Sequence, residues 1–353
     1  MSTEQFFVGL KVIDLSTVLA GPSVGSFFAE MGAEVIKLES PQGDVTKTWF
    51  ANGENKEELS AYYRAVNHNK VVAQIDLNSE REKLSEYLKD ADVLLTNFKE
   101  GDDIKFQLTE AHIRSIQPNI IIAKIQGFEK DTQRVAYDVV LQAETGFMAI
   151  NGEKDSNPLK MPVALMDVLA AHQLKEGILC ALLHKATTGK GSTVSCSLEM
   201  AGMASLMNQA SIYLKSQIVP KSSGSLHPTI CPYGEIIRFK DDVQIVLAIG
   251  SNRQFADLCL ILGLPELAAD VQFENNAVRV TNRMSLIKML QQAADHFNSF
   301  NILPSLLQRN VPFGQIKTMD EVMEQAYKIG AIKNDTVTAT PYVKSVAFDI
   351  QYI

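Results

Sequence analysis

Asp167 is the ionisable residue whose surroundings say most about chemistry. It stands in MPVALMDVLAA (161–171), with apolar neighbours on both sides and a helical pattern after it. A carboxylate at a helix start pairs with the partial positive charge of the first turn. One deprived of water is also a nucleophile or a base, because desolvation raises its basicity. The turn AGPS (20–23) is the second place to look. A helix N-terminus offers free amides that suit phosphate or another polar group. Gly21 allows close backbone approach, and Pro22 sits where its missing N–H costs nothing. Pro22 also replaces the second glycine of a dinucleotide fingerprint, which argues against a pyrophosphate in the usual place. A plain strand-to-helix turn is the other reading.

Three further groups have two readings each. Glu39 ends a strand-like run where a nicotinamide enzyme holds ribose hydroxyls. Without the glycines it reads better as a solvated carboxylate beside Lys37. The polar run NHNK (67–70) precedes a strand. It either turns the chain or offers phosphate or ribose a contact through Lys70, with His68 structural. NFK (97–99) follows a strand at the edge where open α/β sheets collect ligands, so Phe98 either covers an adenine ring or packs in the core. Nucleophile-elbow, zincin and P-loop patterns are absent, the six histidines are scattered, and Cys180, Cys196, Cys231 and Cys259 lie far apart. Reduced thiols and no metal are expected.

The elements that must position these groups follow from periodicity. Strand-like runs at 12–15, 34–38, 71–76, 93–96 and 120–126 alternate with helical patterns, one of them capped by Asn78. Such alternation implies an α/β fold with a mostly parallel sheet. A continuous helical pattern runs from Asp167 to Ala186, the turn TGKG (188–191) breaks it, and a strand-like 193–198 leads into a helix over 200–216. The expected division is a large α/β domain over 1–200, a linker over 201–225, a smaller α+β domain over 226–320 and a returning segment over 321–353. With 353 residues, 46% hydrophobic, a net charge of −8 and no basic tract, the chain is globular and ill suited to nucleic acid. No apolar run approaches the ~18 residues of a membrane span and no leader pattern is present, so a cytoplasmic location is expected.

Taken together, the segments VIDLSTVLAGP, MGAEVIKLESPQGD, VNHNK, TNFKEG, AYDVVLQAETG, the Asp167 helix, ALLHKATTGKGSTVSCSLEM and GSNRQFADLCLILG resemble the class III CoA-transferase family, from about Gly9 to Met323. The resemblance implies a Rossmann-like large domain, a smaller domain, and two chains interlocked as a homodimer. It implies coenzyme A and acyl-CoA as substrates. Asp167 would attack the thioester, giving a mixed anhydride and then an aspartyl-CoA thioester. Its CoA contacts map to Leu19 and Ala20, to Ser40, and to Val66, Asn67, His68, Asn69 and Lys70. Others map to Asn97, Phe98 and Lys99, and to Arg134, Val135, Ala136, Tyr137 and Asp138. Gly250 and Ser251 are the nearest match to the glycine-rich loop that guards the intermediates. There are departures. Leu19 stands where some transferases carry glutamine, and Ser40 and His68 replace arginines, which leaves phosphate to Lys70, Lys99 and Arg134. The C-terminal section is short. Racemases of the family place a histidine where this chain has Tyr137, and a phenol of pKa near ~10 is a poor base at neutral pH. The transferase is therefore preferred over a racemase, a degenerate CoA-binding homologue, or a nicotinamide enzyme. Leu19 and the Met-rich 200–207 point to an apolar acyl pocket.

Overall fold

Short runs of β-branched and aliphatic residues form the central sheet of the larger unit. The computed structural model describes residues 5–131 and 133–351. The strands are β1 (Lys11–Asp14), β2 (Glu34–Glu39), β3 (Val71–Gln74), β4 (Val93–Thr96), β5 (Ile121–Gln126) and β6 (Thr193–Ser197). They pair in parallel in the order β3-β2-β1-β4-β5-β6. Side chains alternate between faces. Val12, Val93, Leu95, Ile121 and Ala123 therefore enter one buried cluster, while Ile13, Leu94 and Ile122 enter another on the opposite face. Covering both faces requires helices on each side, which is why these strands read as unbroken apolar runs.

The helices between the strands are α1 (Ala20–Glu30), α2 (Ala61–Ala65), α3 (Arg81–Leu88), α4 (Asp102–Lys105), α5 (Glu110–Ile116), α6 (Asp138–Glu144), α7 (Phe147–Ile150) and α8 (Leu165–Thr188). After β6 come α9 (Leu198–Ala204) and α10 (Met207–Ser216). Phe28, Ala170, Leu174 and Ile178 of α1 and α8 pack on the first face; Leu84, Leu88 and Ile113 of α3 and α5 pack on the second. Gly189 ends α8 in the left-handed conformation at φ 72°, and its N–H returns to the Lys185 carbonyl at 2.8 Å. Among the described residues, no helix is long and apolar enough to cross a membrane.

The chain divides into a larger unit, up to Met148, over Lys160–Pro220 and from Ala326 onward, and a smaller one over Ala149–Leu159 and Lys221–Gln325. This moves the expected boundaries. Residues 201–220 belong with the larger unit, because Gly202 of α9 lies so close to Met166 that a Cβ there would come within 2.9 Å of its sulfur. A Met- and Ala-rich composition does not tell a packed helix from a linker. The expected helix over 200–216 is two helices, parted at Ser205 and Leu206 just before Met207, whose φ is 44°. Glu80, not Asn78, is the N-cap of α3; the Asn78 N–H turns back on the Asp76 carboxylate. The smaller unit has its own antiparallel sheet, β7 (Tyr233–Arg238), β8 (Gln244–Ala248) and β9 (Phe313–Gln315), over a core that includes Phe255, Leu286 and Leu306.

Beneath the end of β1 lies a set of fully buried charges. Lys70 Nζ is 2.9 Å from Asp14, and Lys37 Nζ is 3.2 Å from Asp44. Lys70 also donates to the Pro22 carbonyl at 2.6 Å and to Asn67 at 3.1 Å, and Lys37 to the Ser16 carbonyl at 2.8 Å. Burial lowers Lys70 to about 8, against the opposing pull of Asp14. Removing one member leaves a buried charge unpaired. In urea unfolding, Lys70→Met is expected to lose about 3–5 kcal/mol, whereas a loss below about 1 kcal/mol would contradict a dependence of the fold on this pair.

Candidate active site

The turn between β1 and α1 is held from three sides. The Asp14 carboxylate accepts the Ser16 N–H at 2.9 Å. Asn97, just after β4, brackets Thr17: its Nδ2 donates to the Thr17 carbonyl at 2.9 Å and its Oδ1 accepts the Thr17 N–H at 3.1 Å. Asp44 accepts the Val18 N–H at 3.3 Å. These contacts fix Val18 at φ 73°, a left-handed conformation that is strained for a β-branched residue. Leu19 is then the N-cap of α1 and no side chain caps it. Gly21 is required by the protein itself, since a Cβ there would lie 2.3 Å from the Ser16 side chain.

This turn forms one wall of an open cleft of about 750 Å³. It lies where the strand order reverses between β1 and β4, the crevice at which doubly wound sheets take their ligands. Thr17, Leu19, Ala20, Asn97, Phe98, Lys99, Arg134, Ala136, Tyr137, Asp138 and Asp167 all line it. Gly127 lets the 134–138 segment fold over the end of β5, where a Cβ would fall 2.0 Å from that of Ala136. A second cleft of about 630 Å³ shares Thr17 and Phe98 with the first and runs past Glu39–Asp44 to Asp76–Asn78. The two meet at Thr17 and Phe98 and together form a trough along the carboxyl ends of β4, β1, β2 and β3.

Asp167 lies in the first turn of α8. Burial, reinforced by the charge of Asp138, raises its carboxyl to about 7. Asp138 is itself spoken for: Oδ1 accepts the Met166 N–H at 2.7 Å and Oδ2 the Gln142 amide at 2.6 Å. Tyr62 is pushed up to about 12 by burial and by Asp167, Asp138 and Asp44, so at neutral pH it stays a neutral phenol. Lys99 is exposed at the mouth. Arg134 forks onto Glu144, with one arm at 2.8 Å, and stacks 4.5 Å over Phe128. A half-ionised carboxylate with limited access to water is suited to nucleophilic attack on a carbonyl.

Leu19, Ala20, Asn97, Phe98, Lys99, Arg134, Ala136, Tyr137, Asp138 and Asp167 are thus brought together, and Ser40 lines the adjoining cleft. Val135 is exposed beside them. Val66, Asn67, His68, Asn69 and Lys70 line neither cleft. Lys70 is not available to phosphate, being buried and bound to Asp14, Pro22 and Asn67. His68 stacks on Tyr342 at 3.9 Å, and Asn69 donates to the Tyr342 hydroxyl at 2.9 Å. Glu39 is buried rather than solvated, accepting from the Tyr63 hydroxyl at 2.6 Å and pairing with Lys47 instead of Lys37. Gly250 and Ser251 lie in the smaller unit, where the Ser251 hydroxyl caps the helix Asn252–Ile261. Sequence reasoning missed Asp44, Tyr62 and Gln142. Of these, Gln142 had a signal: it stands four residues after Asp138, on the same face of a helix.

The raised carboxyl has a consequence for folding. The native state keeps its proton on Asp167 between about pH 4 and 7, where an unfolded chain has lost it, so this group costs stability progressively as pH rises through that window. Asp167→Asn removes the cost. Its melting temperature should exceed that of the parent at pH 8 by more than at pH 5; equal differences at both would contradict the raised value.

Residues 7–345 match the CoA-transferase family III. Succinate–glutarate CoA-transferase of Agrobacterium fabrum is 34% identical, with 89% of this chain and 80% of that protein covered. Human succinyl-CoA:glutarate CoA-transferase is also 34% identical, over 90% of this chain and 73% of its own. A crystal structure of a CAIB/BAIF family protein from Brucella suis superposes with a TM-score of 0.87 at 34% identity, covering 97% of this chain and 92% of that one. With its doubly wound fold, its cleft at the strand-order reversal and this match over nearly its whole length, the chain belongs to CoA-transferase family III.

Proposed function

We propose that this protein moves CoA between two carboxylic acids through covalent intermediates on Asp167. The observation that carries the reading is the raised Asp167 carboxyl in the cleft at the strand-order reversal. A carboxylate oxygen of Asp167 attacks the thioester carbonyl, the C–S bond breaks, and CoA leaves as thiolate. The thiolate then attacks the aspartyl carbonyl of the mixed anhydride and expels the first acid as its carboxylate. The acceptor carboxylate attacks the aspartyl-CoA thioester, and the released thiolate takes the acceptor's acyl carbon from the second anhydride. Asp167 returns as carboxylate, with no proton and no water consumed. Holding the reactants in line supplies much of the rate, and the uncapped start of α1 at Leu19 and Ala20, which lines the cleft, offers backbone amides for oxyanion charge.

The nucleotide end of CoA fits the trough over Phe98 toward Ser40, with Lys99 and Arg134 the cations nearest the path. The relatives named for succinate and glutarate support short dicarboxylic acids as the exchanged pair. A homodimer, interlocked as the family resemblance implies, is supported by an apolar set left exposed on the larger unit: Leu183, Met200, Met203, Met207, Leu214 and Ile218.

The test is an exchange assay with succinyl-CoA and a panel of glutarate, oxalate and butyrate. Transfer to glutarate is expected, and Asp167→Ala should lose on the order of 10⁴-fold in kcat. A preference for butyrate would favour the apolar acyl pocket over the diacid assignment. Binding of succinyl-CoA with no transfer to any acid would overturn the transferase, and solvent deuterium entering the α-carbon without exchange would replace it with a racemase.

A further inference from the structure

The segment that delivers Asp167 to the cleft has little hydrogen bonding of its own. Residues 157–164 are neither helix nor strand. Ala164, the N-cap of α8, has no side chain with which to hold the first free N–H groups. The missing acceptor comes from another helix, in the form of Asp138 Oδ1 at 2.7 Å from the Met166 nitrogen. One turn along α6, Gln142 has no exposed surface. Its Oε1 accepts the Met161 N–H at 2.7 Å. Its Nε2 donates to Asp138 Oδ2 at 2.6 Å and faces the carbonyls of Met161 and Val163 at 3.3 and 3.4 Å. One buried amide thereby ties down residues 161–163 and, through Asp138, the first turn of α8. The next residue is Asp167.

We infer that Gln142, acting through Asp138, is a positioning residue for Asp167: it fixes the first turn of α8 and keeps the Asp138 carboxylate in place beside the nucleophile. This rests on Asp167 being the nucleophile. The amide is chemically specific, because one side chain must donate to a carboxylate and accept from a backbone N–H at once. Glutamate would lose the donor and add charge next to Asp138. Methionine would keep the volume but leave buried polar groups unpaired. The titratable and charged groups around Asp167 are Asp138 from α6, Tyr62 from α2, Asp44 coupled to Tyr62, and Lys99, Glu100, Arg134 and Tyr137 from the cleft loops.

The experiment compares Gln142→Met, Gln142→Glu and Asp138→Asn with the parent protein, using succinyl-CoA and glutarate as probes. CoA affinity in Gln142→Met should stay within about threefold of the parent while kcat falls about a hundredfold, as expected for a displaced nucleophile. The acid limb of the kcat/KM pH profile should move to higher pH in Gln142→Glu and to lower pH in Asp138→Asn, since one adds and the other removes negative charge near Asp167. A folded Gln142→Met with the parent's kcat would overturn the inference. So would activity lost only in step with folded protein, with both limbs unmoved. If Gln142→Met does not fold, the limb of Gln142→Glu decides, and an unmoved limb there overturns the inference. An Asp167→Ala variant that still transfers CoA removes the nucleophile itself, a result distinct from an essential Asp167 with an indifferent Gln142.

Discussion

Two carboxylates side by side, one of them partly withheld from water, form the constraint on which the rest of this structure depends. Burial disfavours ionisation of Asp167, and the neighbouring Asp138 charge adds to the cost. Asp138 and Asp167 remain together because the scaffold pays for Asp138 with a backbone N–H and a buried amide. Asp167, by contrast, keeps a carboxyl raised to about 7. A carboxylate satisfied by a lysine would be harmless to the fold and useless as a nucleophile. Three cations of this region are engaged elsewhere, Lys70 with Asp14, Lys37 with Asp44 and Arg134 with Glu144, and Lys99 is exposed at the cleft mouth.

Those pairs also shape the opposite wall. Asp14, Lys37 and Asp44 hold Ser16 and Val18, and Asn97 holds Thr17, so that the chain turns sharply from β1 into α1 through the strained Val18. A parallel sheet brings the carboxyl ends of its strands to one edge, and the reversal of strand order opens a crevice there. The result is a trough with a strained turn on one side, a carboxylate pair on the other and Phe98 between its two halves.

Much of this was legible in the sequence. Unbroken apolar runs such as VLL at 93–95 reported strands covered on both faces. The apolar setting of Asp167 left a first-turn charge or a desolvated carboxylate open, and the raised carboxyl supports the second. What failed was the reading of polar residues near strand ends. Lys70 and Glu39 look solvent-facing in one dimension, but the fold closes each against a partner from a different segment: Lys70 on Asp14, Glu39 on Tyr63. Pairings across tens of residues leave no local pattern. Gln142 differs, because its i,i+4 relation to Asp138 is local, yet its partners at 161 and 163 lie in irregular chain that periodicity cannot place.

The proposed relay through Asp167 makes a demand on oxygen atoms that no simple binding protein or direct displacement shares. In that relay each cycle would leave one oxygen of the acceptor's carboxylate on Asp167. The most direct test is therefore transfer from succinyl-CoA to glutarate labelled with oxygen-18 in the accepting carboxylate, followed by mass analysis of the peptide that contains Asp167. The account predicts a gain of about 2 Da after one turnover, rising on repeated cycling, as a covalent aspartyl anhydride requires. Transfer proceeding while that peptide keeps its natural mass would contradict it.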